Sequence, residues 1–318
     1  MERLVGKIVF FFAVLFMIAL IGLFAYYSYH FQSTKTKNAA NLLYPHPAPQ
    51  IAFSGKILFI SYFHRHQKLD SINPNTKEIT PVIKKKNLGF YLTVSPSGRR
   101  AAYEIVKHNS SQLYLLNLIT GDSTQLTNSG NNLMPSFSPH GKRILYIREK
   151  QGAFRLPEVI NLKSGKITPL VKPKHWYSNP KFLPDGRVLC TAYLNGRDQI
   201  IILNPKTDQE LPITNNRFNN TSASLSQNGE KIVFVSNRAG NPEIYTMNLD
   251  GTHVHRLTFT TGVNYQDPSW SPDDKNIIFS ANLKGKHFHL FIMNTKGKIL
   301  KQLTSGSSDA FSPQWYLP

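Results

Sequence analysis

The stretch Pro268-Ser269-Trp270-Ser271-Pro272-Asp273-Asp274-Lys275, followed by the apolar residues 276–280, is the clearest copy of an internal repeat. Related copies begin at Pro135 and Pro180, and weaker ones begin at Leu92 and Ala223. A second marker, an apolar run that ends in an asparagine, recurs with a period of about 44 residues. These asparagines are Asn73, Asn117, Asn161, Asn204, Asn248 and Asn294. Such regular spacing is very unlikely by chance, so the chain is built from repeats.

Each period divides into four short strands, as the fifth unit shows. Its strand segments are residues 223–225, 231–236, 243–248 and 253–258. The turns between them contain Asn228-Gly229, Gly240-Asn241 and Asp250-Gly251, which tolerate the positive φ of tight hairpins. Four-stranded units at this period are typical of β-propeller blades. We therefore predict an all-β propeller.

The two ends of the chain indicate how the ring closes. Pro313-Gln314-Trp315 follows Thr304 at about the spacing that separates Pro268 from Thr258, so it predicts an extra first strand. Residues 56–62 form a second strand without a good first strand before it. We expect the C-terminal strand to complete the N-terminal blade, which gives a six-bladed β-propeller closed by a C-terminal strand.

The N-terminal segment is apolar enough to cross a membrane. Residues 8–27 carry no charge, and a helix of that length spans about 30 Å, the thickness of a bilayer core. The apolar run is longer than in most signal peptides and no small-residue cleavage pattern follows closely, so we expect an uncleaved anchor rather than a cleaved signal. The predicted parts are a cytoplasmic tail (1–7), one transmembrane signal-anchor helix (8–28), a linker (29–50) and the propeller (51–318).

The short positive tail before this segment favours leaving the tail in the cytoplasm and the propeller in the periplasm, outside a bacterial inner membrane. The opposite orientation, with the propeller in the cytoplasm, stays open as the alternative.

The composition limits the possible chemistry. The 318 residues are 41% hydrophobic and 12% aromatic, which supports a substantial core and excludes wholesale disorder. The single cysteine, Cys190, excludes an internal disulfide and a cysteine-based zinc site, and its apolar surroundings predict a buried free thiol. No hydrolase elbow, phosphate loop or zinc-protease motif is present, so we expect no cofactor. The net charge of +19 favours an anionic partner, whereas the lack of a nucleic-acid motif argues against nucleic acid.

The repeat resembles that of the TolB-type propellers. The resemblance rests on the Pro-x-Trp/Phe-Ser-Pro-Asp-Gly-Lys pattern, on residues 236–245 (SNRAGNPEIY), on Asn248-Leu249-Asp250-Gly251 and on Leu257-Thr258. It covers residues 53–318 and implies a six-bladed propeller, in agreement with the spacing. TolB itself implies an α/β domain before the propeller and a soluble exported protein, whereas an anchor and a linker are predicted here. Binding of the peptidoglycan-associated lipoprotein is therefore not carried over.

One face of the predicted propeller gathers the loops that enter each innermost strand and the loops between second and third strands; we call it the mouth face. It would carry the basic run 84–86, Phe90 and His175, and charged and aromatic residues of this kind are common in binding surfaces. The candidate binding residues are Tyr91, Trp176, Tyr177, Asn179, Arg217, Phe218, Tyr265 and Asp267. Packing between blades is an equally good interpretation of several of them. The channel mouth is expected to be ringed by Tyr91, Met134, Asn179, Ser222, Asp267 and Ser312, each just before its innermost strand.

Histidine pairs suggest a metal site as an alternative. His64 and His66 belong to the first blade and His287 and His289 to the sixth, and the two blades are neighbours in a closed ring. Residues two apart share a strand face, so each pair could supply two ligands. No carboxylate at suitable spacing completes the set, and solvated histidines are the simpler interpretation.

These features favour a non-enzymatic, membrane-anchored scaffold that binds an envelope protein or an anionic ligand. The alternative is a polysaccharide lyase or hydrolase that uses the channel mouth, with a metal on the paired histidines.

Overall fold

The computed structural model describes residues 52–64, 66–83, 87–107, 110–149, 155–172, 174–283 and 286–318, and within them the regular structure is β-sheet alone. The predicted tail, anchor helix 8–28, linker 29–50 and basic run 84–86 lie outside these residues. No helix in the described part of the chain has the length and apolar character to span a membrane.

The described residues form twenty-four strands. The first twelve are β1 (Lys56–Phe63), β2 (His66–Ile72), β3 (Ile79–Ile83), β4 (Leu88–Val94), β5 (Arg100–Lys107), β6 (Ser110–Asn117), β7 (Ser123–Gln125), β8 (Asn131–Phe137), β9 (Arg143–Glu149), β10 (Arg155–Asn161), β11 (Ile167–Pro169) and β12 (Tyr177–Phe182). The others are β13 (Val188–Leu194), β14 (Arg197–Asn204), β15 (Gln209–Pro212), β16 (Asn220–Leu225), β17 (Lys231–Ala239), β18 (Asn241–Asn248), β19 (His255–Arg256), β20 (Tyr265–Trp270), β21 (Asn276–Leu283), β22 (His287–Asn294), β23 (Ile299–Gln302) and β24 (Asp309–Tyr316).

These strands form six antiparallel four-stranded sheets in the described chain, which confirms the six-bladed propeller. Blade 1 has the order β24-β1-β2-β3, so the C-terminal strand completes the N-terminal blade as predicted. Blades 2 to 6 each consist of four consecutive strands, beginning with β4, β8, β12, β16 and β20. The innermost strands contact one another in a closed cycle, from β24 through β4, β8, β12, β16 and β20 back to β24.

The core lies between neighbouring blades. Leu58 and Leu69 of blade 1, for example, pack in one cluster with Leu92 and Tyr103 of blade 2. Burying a large apolar side chain of this kind contributes about 1.5–3 kcal/mol. Cys190 is buried in the cluster between blades 3 and 4, as predicted, and burial raises the pKa of its thiol.

The serines and asparagines of the repeat motifs accept hydrogen bonds from backbone N–H groups, which explains why these residue types recur. In the opening motif, Ser271 Oγ accepts from the N–H of Asn276 at 2.9 Å, and Ser138 Oγ does the same for Arg143 at 3.1 Å. The periodic asparagines lie at or directly after the ends of the third strands, where, for example, Asn161 Oδ1 accepts from the N–H of Lys163 at 2.9 Å. The Asx turn so formed favours asparagine at this position.

The fourth strand of blade 5 is shorter than predicted. Residues 253–258 were expected to pair, but β19 includes only His255–Arg256. The reason is that Thr258 leaves the ladder and its Oγ1 accepts from the N–H of Ile244 at 2.9 Å. Thr304 makes the equivalent bond to Leu290 in blade 6.

The chain enters the propeller on the face opposite the mouth face. This face, here called the turn face, carries the turns between first and second strands and between third and fourth strands. Phe53 donates its N–H to Asn75 Oδ1 at 2.7 Å and accepts from Asn75 Nδ2 at 2.6 Å, and Asn75 lies in the β2–β3 turn. Trp315 Nε1 donates to the carbonyl of Ser54 at 2.8 Å, so the entering segment and β24 hold each other in place.

Candidate functional site

The six residues predicted to ring the channel mouth line the central channel together, but they lie within the innermost strands rather than before them. Pairing with the second strand is interrupted at this point, for example between Ser178 and Lys181 in blade 4. Such a bulge redirects a side chain, here toward the axis. Five of the six have positive φ, namely Met134, Asn179, Ser222, Asp267 and Ser312.

The channel is a polar cavity of about 690 Å³ that runs along the propeller axis. Serines and threonines such as Thr93, Ser136 and Ser224 contribute much of its wall. Toward the turn face it is lined by the prolines of the repeat motif, among them Pro139 and Pro184. Hydroxyl groups both donate and accept hydrogen bonds, so the channel is suited to water or to a polar ligand.

Hydrogen bonds connect the ring residues of neighbouring blades. The N–H of Ser312 donates to Asp267 Oδ2 at 3.1 Å, and Ser312 Oγ donates to the carbonyl of Phe90 at 2.6 Å. The N–H of Asn179 donates to Met134 Sδ at 3.1 Å. These bonds link blade 1 to blades 6 and 2, and blade 3 to blade 4, at the channel mouth.

Asp267 shares the channel with a lysine that the sequence analysis missed. Burial raises the pKa of Asp267, although the Ser312 hydrogen bonds and the charge of Lys181 act in the opposite direction. Burial lowers the pKa of Lys181 to about 8. An alignment of the blades would have shown Lys181 as an exception, because the equivalent residues of blades 3 and 5 are the serines Ser136 and Ser224.

Glu104 is a second missed residue close to the ring. It lies on β5, is almost fully buried, and its Oε1 accepts from the N–H of Met134 at 2.7 Å. Burial raises its pKa to about 8, while hydrogen bonds from the backbone N–H groups of Met134 and Tyr91 oppose the shift. Gly89 makes room for it, since a Cβ there would overlap the carboxylate. A glutamate in the middle of the apolar stretch 101–106 was the available signal.

The predicted aromatic residues divide between the surface and the interior. Trp176 is exposed, and Arg217 is exposed with its guanidinium 5.2 Å from the centre of the half-buried Phe218 ring. Tyr177 and Tyr265 are buried, so for these two the packing interpretation applies. The hydroxyl of Tyr177 donates to Glu210 at 2.5 Å.

Tyr91, the sixth ring residue, is half-buried in the channel wall. Burial, together with the charges of Asp267 and Glu104, raises the pKa of its hydroxyl to about 12. The charge of Arg155, which lies in the neighbouring blade 3, acts to lower this pKa.

A second cavity, of about 550 Å³, lies between blades 3 and 4 on the mouth face. We call it the blade 3–4 cleft. Its principal lining residues are Arg155, Lys174, His175, Trp176, Tyr193 and Asp198. Tyr193 and Asp198 were not among the predicted residues, because their roles depend on strand pairing rather than on a local motif.

The four histidines of the metal alternative do not form a site. In the described part of the chain, no group of three or more His, Cys, Asp or Glu side chains is placed to hold a metal ion. His64 contacts the ring of Phe63, with 4.0 Å between centroids. His287 is 3.4 Å from Asp309, and the neighbouring His289 is buried. The pairs therefore remain in separate surroundings although their blades are adjacent.

The fold and the channel define a six-bladed β-propeller with a preorganised polar ring. A family model described as the TolB beta propeller domain matches residues 133–316. The chain therefore belongs to the TolB beta-propeller family.

Relatives and solved structures agree with this assignment. The Tol-Pal system protein TolB of Francisella tularensis subsp. mediasiatica (strain FSC147) is 30% identical over 183 residues, which is 55% of this chain and 41% of that protein. The crystal structure of TolB from Acinetobacter baumannii aligns with a TM-score of 0.76 at 22% identity, covering 84% of this chain and 68% of the other. A putative TolB from Agrobacterium tumefaciens aligns at 0.64 and 16% identity, covering 83% and 99%. The chain spans about two fifths of the length of the curated relatives it matches.

Proposed function

We propose that this protein is a membrane-anchored scaffold of the bacterial cell envelope, with the propeller in the periplasm and the mouth face as its binding surface for an envelope protein. The proposed organisation is a cytoplasmic tail (1–7), an anchor helix (8–28), a linker (29–50) and the propeller (51–318). The curated relatives are named Tol-Pal system proteins, which supports a protein partner in the envelope.

One observation carries the choice of face. The chain enters at Phe53, which is fixed to the β2–β3 turn of the turn face. A tether attached on that side leaves the mouth face free. The proposed contacts there are the exposed Trp176, Arg217 and Phe218, with Tyr91, Asn179 and Asp267 at the channel. Because the blades hold these groups in place, little ordering entropy is lost on binding.

The net charge of +19 supports an acidic partner surface. It does not select the face, since exposed lysines such as Lys163 and Lys166 also lie on the turn face. Salt should weaken an interaction of this kind, because exposed charges are screened within about 10 Å at 0.1 M ionic strength.

Site-specific photo-crosslinking in the full chain tests the proposal. A photoreactive phenylalanine analogue replaces Arg217 on the mouth face or, as the matched control, Ile119, which is exposed on the turn face. We expect envelope proteins to be cross-linked from position 217 and not from position 119. Equal products from both positions, or products from 119 alone, would move the binding surface to another part of the propeller. Protease access to the propeller in intact spheroplasts tests the orientation.

A further inference from the structure

The blade 3–4 cleft contains one pair of positions, on the first and second strands, whose residues differ between the blades. In blade 5, Asn237 Oδ1 accepts from the N–H of Asn219 at 2.9 Å, across the first and second strands. In blade 6, Asn282 Oδ1 accepts from the N–H of Asn264 at 2.6 Å. Blade 1 has Asp309 and Tyr62 at the equivalent positions and blades 2 and 3 have only the first asparagine, whereas blades 5 and 6 join the two strands through an asparagine pair.

Blade 4 has two aromatic residues in place of that pair. Tyr193 donates its N–H to the carbonyl of Trp176 at 3.0 Å, and the backbones of Asn237 and Asn219 make the same bond at 3.3 Å. The positions are thus equivalent. Trp176 is 57% exposed and Tyr193 is 54% exposed, so neither serves the core. Compared with blades 5 and 6, blade 4 lacks a side chain–backbone hydrogen bond here and leaves aromatic surface in water, which indicates a ligand rather than a packing role.

The carboxylate of Asp198 lies in the same row as the two aromatic rings. Tyr193 is paired with Asp198 on β14, so Trp176, Tyr193 and Asp198 follow one another across three adjacent strands. Directly opposed residues project to the same side of a sheet, about 5 Å apart. The row therefore forms a platform with two aromatic surfaces and one carboxylate at its edge.

Polar groups at the edges of this platform are available for a ligand. Neither carboxylate oxygen of Asp198 accepts a hydrogen bond from the described residues, and burial raises its pKa while the charge of Arg155 opposes the shift. Arg155 packs over the Trp176 ring at 5.8 Å and is bound through Nε to Glu149 at 2.8 Å. Its terminal nitrogens make no hydrogen bond with other described residues, so they can donate to a ligand.

The other basic side chains of the cleft already have partners. Lys174 Nζ lies 3.4 Å from Asp208 Oδ2, and His175 Nε2 lies 3.3 Å from Glu210 Oε2. Arg155 is likewise matched by Glu149. The cleft thus offers hydrogen-bonding groups and aromatic surface without a large excess of either charge.

We propose that the blade 3–4 cleft binds a pyranose unit of an uncharged glycan, with the C–H face of the sugar on Trp176 and Tyr193 and its hydroxyls on Asp198 and Arg155. A pyranose has an apolar face and a rim of hydroxyls, and the platform has the matching surfaces in one row. A cavity of about 550 Å³ is of suitable size for one or two sugar units. This inference goes beyond the proposed function, because the ligand is a saccharide and its binding requires no envelope protein.

Tryptophan fluorescence provides a direct test on the purified full chain. Of its three tryptophans, Trp270 is 3% exposed and Trp315 is 7% exposed, so acrylamide quenching reports mainly on Trp176. The probes are tetrasaccharides of β1,4-linked glucose, α1,4-linked glucose and β1,4-linked N-acetylglucosamine. We expect at least one of them to reduce the quenching constant by about twofold, since a bound ring covers the indole. Unchanged quenching with all three overturns the proposal.

Variants that copy blades 5 and 6 test the two aromatic residues, with a third variant as the control. Trp176→Asn and Tyr193→Asn introduce the residues that blades 5 and 6 use, so they should fold with an unchanged midpoint of thermal unfolding. We expect each to weaken binding by about tenfold in ligand-observed NMR, comparable to the loss of one stacking contact. Phe259→Asn, at an exposed aromatic of the mouth face that lies under Arg256, should bind as the wild type does.

If the Trp176→Asn variant bound the tetrasaccharide as tightly as the wild type, the proposal would be overturned, even if the tetrasaccharide had changed the acrylamide quenching of the wild type. If no tetrasaccharide binds but photo-crosslinking from position 217 captures an envelope protein, the glycan inference fails and the proposed function stands. Glycan binding without protein capture gives the reverse result, so the two proposals fail separately.

Discussion

Several ionisable side chains of this protein lie where water is scarce. Glu104 is the clearest case: two backbone N–H groups bind its carboxylate, yet burial raises its pKa from 4.5 to about 8. The loss of hydration thus outweighs the two hydrogen bonds. A residue of this kind is tolerated because a protonated carboxyl can remain buried at neutral pH, while its oxygens still hold the N–H of Met134.

The shifted pKa of Glu104 predicts a pH dependence of stability. Because the folded state binds this proton more tightly than the unfolded state, the free energy of unfolding should fall as pH rises from about 4.5 to about 8, then level off. Glu104→Gln should remove this decline. Between pH 5 and pH 9, the free energy of unfolding of the variant should therefore rise relative to that of the wild type by about 2–4 kcal/mol. Urea unfolding at both pH values measures it. The exposed Glu78→Gln is the control, and parallel pH profiles for wild type and Glu104→Gln would contradict the prediction.

At the scale of the element, the innermost strands combine pairing with a bulge that turns one residue toward the axis. Ser222 has a φ of 52° in β16, and Asp267 has 51° in β20. Non-glycine residues adopt this left-handed conformation at a cost of about 1–2 kcal/mol. The interblade hydrogen bonds of the ring, such as Ser312 to Asp267, help to offset that cost.

Two substitutions in β16 test whether the bulge is strained. Ser222→Gly should be neutral or stabilising by up to about 1 kcal/mol, because glycine adopts positive φ without steric cost. Ser224→Gly, two residues later and outside the left-handed region, should destabilise by about 0.5–1 kcal/mol. Chemical unfolding of both variants gives the comparison. The opposite order of stabilities would show that Ser222 contributes contacts worth more than its backbone strain.

At the scale of the whole molecule, stability depends on closing the ring. β24 provides the innermost strand of blade 1, contacts β4 of blade 2 and packs Trp315 on Phe53, with ring centroids 5.7 Å apart. Without it, β1 would present an unpaired edge and the channel would open along one side. The last strand in sequence is therefore essential to the first blade.

Removing residues 309–318 should abolish the single cooperative unfolding transition of the propeller. The reason is that two blade interfaces lose their shared strand at once. A synthetic peptide of residues 309–318 added in trans should restore the transition by pairing with β1, and the same peptide with the substitution Trp315→Ala should restore it poorly. Calorimetry follows both. A truncated chain that unfolds like the intact one would show that blades 2 to 6 are stable without closure.

The amino-acid sequence alone determined the repeat, the four-strand unit, the number of blades and the closing strand, because these depend on local periodicity and turn chemistry. It also indicated the six ring residues, since each occupies the same place in its unit. It did not locate them within the strands, because a bulge is defined by pairing with another strand.

Only the tertiary structure decided which residues share a surface. It buried Tyr177 and Tyr265, kept the histidine pairs apart, and placed Glu104 beside Met134 and Lys181 in the channel with Asp267. It also aligned Trp176 with Tyr193 and Asp198 across three strands. These neighbours are distant or unrelated in sequence, and the pairing register and the packing of adjacent blades bring them together.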